Sequence, residues 1–83
     1  MYTVAILPKA IKDLADISSN YRELIAKHIN SLGENPRPSD AKKLKDDSGY
    51  SQRVGVYRIL YDIDDTERKV TIYRVKHRRD AYR

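Results

Sequence analysis

Between residues 21 and 32 the chain places Tyr21, Leu24, Ile25, His28, Ile29 and Leu32 at i, i+3, i+4, i+7, i+8 and i+11. That spacing draws one apolar stripe down an α-helix. From Val56 onward the period changes to two. Tyr57, Ile59, Tyr61 and Ile63 alternate with Val56, Arg58, Leu60 and Asp62, as expected of a half-buried strand. A chain of 83 residues that makes this switch has room for a single modest core, with helix stacked on sheet.

The remaining elements fill in around these two. Residues 2–7 are short, apolar and rich in β-formers, and read as a first strand. Pro8 stops it and suits the first position of a helix in which Ile11, Leu14, Ala15 and Ile17 recur at helical spacing. Ser18-Ser19-Asn20 separates this helix from the next. Asn20 with Glu23 resembles a capping box, and Gly33 suits the C′ position that ends the second helix. Pro36 and Pro38 make residues 34–41 a loop, and residues 41–46 are a short strand or an extended crossing.

Residues 50–54 read as a strand, Gly55 as a bulge or tight turn, and residues 56–63 as the next strand. After a polar turn at Asp64–Glu67, residues 69–76 form the last strand, with Val70 and Ile72 facing one way and Thr71, Tyr73 and Val75 the other. The expectation is one α+β domain spanning residues 1–83: an N-terminal strand, a helical hairpin, then an antiparallel meander. The hairpin covers one sheet face and the other displays the arginine-bearing side of the strands.

The chain has no cysteine, so disulfide scaffolds, thiolate metal sites and a Cys nucleophile are excluded. It has no apolar run near 18 residues and no charged-then-apolar leader, which leads us to expect a cytoplasmic protein with no membrane contact. Charge is uneven. Residues 1–41 carry five bases and five acids, whereas residues 42–83 carry twelve bases and seven acids, which accounts for the whole net charge of +5. The last fifteen residues alone hold Lys69, Arg74, Lys76, Arg78, Arg79 and Arg83 against Asp80. One anion-seeking face follows, for nucleic acid or an acidic protein. All seven aromatic residues are Tyr, which puts a polar handle on each stacking surface.

Within this field the chemistry narrows. A mid-strand arginine such as Arg58 is solvated, pairs with an acid such as Asp62, or lines a site. Its guanidinium fork matches two phosphate oxygens. Arg53, Arg74 and Arg78 fall near it if the last strands pair, and four such cations resist close packing without an anion between them. His77, flanked by Lys76, Arg78 and Arg79, is expected to favour its neutral form and to accept a proton. His28 lies on the helical stripe and reads as core-edge. No Gly-rich phosphate loop, HExxH or paired-carboxylate pattern is present, so no metal or cofactor is expected. RNA cleavage suits such a chain, because the 2′-OH is an internal nucleophile. The reaction needs a base, cations for the charge that grows on phosphorus, and a proton donor. Arginines meet the second need and are poor proton carriers, which leaves His77 and Tyr82. Packing of the C-terminal tail is the plainer role for Tyr82.

These segments resemble the RelE/ParE toxins of bacterial and archaeal toxin–antitoxin systems along essentially the whole chain. The likeness is most specific in KLK at residues 43–45, YSQRVGVYRILYDID at 50–64 and VKHRRDAYR at 75–83. It implies a RelE-like fold and metal-independent cleavage of mRNA in the ribosomal A site. By motif, Arg58 corresponds to the sheet arginine at the scissile phosphate, Arg78 to the arginine after the last strand, and Tyr82 to the near-terminal tyrosine. Arg53 and Ser51 stand where RelE has two strand lysines, and only a cation at Arg53 is kept. His77-Arg78 is similar to the HR pair of a broader subgroup. Lys43, Lys45, Arg74, Lys76 and Arg79 are the expected RNA-binding cations. Expected partners are the ribosome, its mRNA, and a RelB-like antitoxin with a second anchor near the helices; operator DNA is expected for the toxin–antitoxin complex. Two alternatives stand beside this reading: a ParE-like gyrase inhibitor, and a non-enzymatic module making salt-sensitive phosphate contacts.

Overall fold

The computed structural model describes residues 1–44 and 49–79. Along the chain it forms β1 (Thr3–Ile6), α1 (Pro8–Ala15), α2 (Ser19–Glu34), β2 (Ala41–Lys43), β3 (Tyr50–Val54), β4 (Tyr57–Asp64) and β5 (Lys69–His77). The strands make one five-stranded sheet in the order β1-β5-β4-β3-β2. β2 to β5 are an antiparallel meander. β1, however, lies parallel to β5, with Thr3 opposite Lys69 and Ile6 opposite Ile72. The sheet is therefore mixed rather than antiparallel throughout. Parallel neighbours require a long crossover, and the chain from α1 to β4 supplies it.

Both helices pack on one face. Ala10, Ile17, Ile25, Ile29 and Leu32 meet Val54, Ile59, Tyr61, Val70, Ile72 and Val75 in one core. Each fully buried Ile or Leu contributes about 1.5–3 kcal/mol, so Ile72→Ala at the centre would cost about 2–5 kcal/mol. α1 begins at Pro8, which occupies the first helical position with its φ already set. It packs through Ala10, Leu14 and the following Ile17, while Ile11 and Ala15 face outward. Leu14 and Ile17 of the expected stripe are kept, but Ala10 replaces Ile11 and Ala15 drops out, because the small Ala10 lets the helix lie close to β5.

Two helix-terminal expectations are corrected. Ser18 is the N-cap of α2 and no side chain caps it, so Asn20 sits inside the first turn and forms no capping box. Gly33 does not end α2, which continues to Glu34 with Asn35 as its C-cap. Gly33 instead admits β1: its carbonyl accepts the Tyr2 N–H at 2.7 Å, and a Cβ there would stand 3.1 Å from both the Tyr2 carbonyl and Val4 Cγ2.

β3 and β4 are joined by the two-residue turn Gly55-Val56, with Gly55 at φ 61°. The left-handed backbone suits glycine, and the Tyr21 ring beneath leaves no room for a Cβ. β4 follows its alternation, burying Ile59 and Tyr61. β5 does not. Ile59 faces Val75 and Leu60 faces Arg74, but Tyr61 faces Ile72, so Tyr73 is an extra residue in a β-bulge. The bulge returns Val75 to the core face with Val70 and Ile72, overturning its expected placement with Thr71 and Tyr73.

Candidate nucleic-acid interface

The register places the site on the sheet face that the helices leave open. Core-facing pairs are Gln52↔Ile59 and Val54↔Tyr57; the pairs between them therefore point the other way. Arg53 lies opposite Arg58, and Arg58 opposite Lys76. Three cations thus stand side by side across β3, β4 and β5. Like charges directly opposite one another destabilise a sheet, so this row is a local cost of the fold that an anion would relieve. Arg53 is exposed and its Nε donates to the Gly55 carbonyl at 3.0 Å. Arg58 is half-buried, and its Nη1 reaches Ser51 Oγ at 3.5 Å. Lys76 is also half-buried.

The neighbouring row runs Lys42, Ser51, Leu60, Arg74. Ser51, where the resemblance leads one to expect a strand lysine, is buried. Lys42 beside it was missed in the sequence, although it lies in phase with Ser51. Lys43 pairs with Tyr50 and so takes the opposite phase. Arg74 is turned away from the row: its Nε and Nη2 donate to Asp13 of α1 at 2.8 and 3.1 Å. Burial alone would raise the Asp13 carboxyl, but hydrogen bonds from Arg74 and the Val75 N–H, with the nearby positive charge, hold it below its ordinary value.

Arg78 follows the end of β5. Its N–H donates to the Val56 carbonyl at 2.6 Å, which sets it two residues beyond Lys76, exposed at the end of the row. Arg79 is exposed as well, and its N–H points to His77 Nδ1 at 3.4 Å. His77 itself lies on the other face, opposite Tyr57. Its ring packs edge-on against Tyr57 at 5.6 Å, and Tyr57 against Tyr21 at 5.1 Å. A groove there is lined by Asp13, Asp16, Tyr57, Lys76 and His77 among others. The register thus puts Arg53, Arg58 and Lys76 in one row, sets Arg78 beyond it beside Val56, and assigns His77 to the opposite face of β5. Lys45 and Tyr82 lie outside the described residues.

Fold and basic face together define a class. The family profile of the ParE toxin of type II toxin–antitoxin systems matches residues 4–82, and the chain belongs to the RelE/ParE family of type II toxins. Among its relatives, a protein named as toxin RelE1 of Methanocaldococcus jannaschii is 30% identical over 86 residues, covering 99% of this chain and 96% of that protein. Toxin RelG of Mycobacterium tuberculosis shares 56% identity over 34 residues, 41% of this chain and 39% of that one. In the toxin–antitoxin complex RelBE2 of Mycobacterium tuberculosis, a chain superposes with TM-score 0.83 at 32% identity, covering 93% of this chain and 98% of that one. The RelE–RelB complex of Pyrococcus horikoshii shares the fold, with TM-score 0.83 at 24% identity over 93% and 94% of the two chains.

Proposed function

We propose that this toxin is a RelE-type endoribonuclease that cleaves mRNA in the ribosomal A site without a metal. The cross-strand row Arg53–Arg58–Lys76, with Arg78 at its end, carries the reading. In the reaction the 2′-oxygen bonds to the adjacent phosphorus and the bond to the 5′-oxygen breaks. A base takes the 2′-OH proton and an acid returns one to the 5′-oxygen, leaving a 2′,3′-cyclic phosphate and a 5′-OH. Negative charge grows on the non-bridging oxygens meanwhile. Fixed guanidinium donors stabilise it, each contributing about 3–4 kcal/mol in comparable sites. Arg58 suits the scissile phosphate, and Arg53, Lys76 and Arg78 the surrounding charge. Guanidinium does not carry protons, so His77 and Tyr82 are assigned proton transfer. Because His77 faces away from Arg58, the RNA has to wrap the end of β5 to engage both.

Arg79, exposed just past β5, extends phosphate contact beyond Arg78, whereas Arg74 is held by Asp13 and Lys43 takes the opposite phase to the row. A RelB-like antitoxin is the proposed partner in the cytoplasm, as relatives have been solved as RelE–RelB complexes. It covers the basic face and anchors on the exposed Leu7 and Ile11; the complex binds operator DNA. Ser51, in place of a lysine, favours the second reading, a ParE-like gyrase inhibitor on the same fold. Arg78→Ala tests the choice: growth arrest should vanish while fold and antitoxin binding persist. A fully toxic Arg78→Ala protein would remove the nuclease assignment from this face.

A further inference from the structure

On the edge of β5 away from β4, a carboxylate takes over from a strand along the distal half. β1 accompanies β5 only as far as Ile6 opposite Ile72, and the Leu7 N–H closes on the Ile72 carbonyl at 2.9 Å. Beyond that point α1 lies along β5. There Asp13 Oδ2 accepts the Val75 N–H at 2.9 Å and Arg74 Nε at 2.8 Å, while Oδ1 accepts Arg74 Nη2 at 3.1 Å. These three bonds fall on the two residues that directly follow the extra Tyr73 of the bulge.

The bulge decides which side chains reach the open face. Because side chains alternate with period two, one inserted residue exchanges the faces of everything beyond it. With the bulge, Val75 fills the core, Lys76 stands beside Arg58 and His77 packs against Tyr57. Without it, Val75 would leave the core and Lys76 would leave the row. Past Ile6, β1 no longer covers the outer edge of β5, so amides on that edge must be satisfied elsewhere. Asp13 satisfies that of Val75, two residues after Tyr73, with a charge-assisted bond, about twice as strong as a neutral one. The same carboxylate ties Arg74 to α1 and keeps it from the row.

We propose that Asp13 is a positioning residue of the cleavage site, whose carboxylate holds β5 in the bulged register that sets Lys76 beside Arg58 and His77 against Tyr57. The proposal rests on the endoribonuclease reading. Asp13 touches no RNA in this role and acts through the Val75 amide and Arg74.

Asp13→Ala, the near-isosteric Asp13→Asn, and Asp13→Glu are compared with the parent protein on ribosome-bound mRNA and by amide NMR. Asp13→Ala should lower the single-turnover rate at saturating ribosomes by about 100-fold, the scale of a misplaced catalytic group. The half-saturating concentration should move by less than about two-fold, because the loss concerns the transition state. Asp13→Asn should lose less and Asp13→Glu should recover part of the rate. In Asp13→Ala the Val75 amide should lose exchange protection and the Arg58–Lys76 cross-strand pairing should weaken, with smaller changes in the other two. An Asp13→Ala protein that keeps the Val75 protection and the Arg58–Lys76 pairing overturns the proposal. So does one that loses them yet cleaves at the parent rate. If the parent itself does not cleave, the endoribonuclease reading fails, and the two NMR signals still decide whether Asp13 holds the register.

Discussion

Replacing Arg53 with Thr should make this protein more stable and less active, a pairing of signs that follows from the cation row. Arg53 faces Arg58 directly and is exposed, so their repulsion acts through water. Two unit charges about 6 Å apart repel by about 0.7 kcal/mol at that dielectric. Removing Arg53 also removes its Nε bond to the Gly55 carbonyl, a surface bond worth a few tenths. Thr keeps good strand propensity. The net gain is about 0.5 kcal/mol, which for a domain of this size raises Tm by roughly 2–4 °C. Calorimetry at about 0.01 M salt should show the gain. At about 1 M, where the screening length falls from about 30 Å to about 3 Å, it should shrink toward zero. Cleavage should fall by up to about 100-fold. An Arg53→Thr protein that is less stable at low salt, or whose stability change ignores salt, would refute the account of the row as strained by like charge.

Three further perturbations test what holds the sheet to α2 and the loop that follows it. Tyr61 is fully buried, donates to the Pro36 carbonyl at 2.8 Å and stacks on Tyr50; Tyr61→Phe should cost about 1–3 kcal/mol in urea denaturation by orphaning that carbonyl. Burial, chiefly, with nearby Tyr50 and Asp40, pushes the Tyr61 phenol up to about 12. The unfolded chain therefore ionises first, and stability should fall as pH rises from about 10 toward 12, a slope that Tyr61→Phe reduces. Asp65 accepts Arg37 bidentately at 3.1 and 2.8 Å and Tyr2 Oη at 2.6 Å; those bonds hold its carboxyl at about 2. Its contribution is present above the unfolded value and lost as pH falls from about 4 toward 2, so Asp65→Asn should flatten that part of a Tm-versus-pH curve. Gly33→Ala should destabilise by roughly 1–3 kcal/mol because β1 must move away from the new Cβ; helix propensity alone predicts the opposite sign, and a stabilised variant would favour it.

The meander was legible because β4 alternates without interruption and Gly55 marks the turn that sets Arg53 opposite Arg58. Element order and most strand bounds followed from those signals, and the family from the resemblance carried by residues 43–45, 50–64 and 75–83. The bulge in β5 was not legible. Thr71 to Val75 alternate cleanly in sequence, and only contact with Asp13 and the core decides that Tyr73 is the extra residue. The phase of α1 was misread because Ile11 is the larger apolar side chain, whereas packing favoured the small Ala10. Gly33 looked like a helix terminator because local sequence does not show β1 arriving beside it. The separation of His77 from Arg58 was implicit in the register and visible only once the bulge was known.

The central claim is that the cation row serves RNA cleavage on the ribosome. Primer extension on translated mRNA after induction of this toxin, run beside a DNA gyrase supercoiling assay, tests it most directly. Codon-phased cuts with normal supercoiling are the predicted result. Intact mRNA with inhibited supercoiling would contradict it and assign the same fold to gyrase.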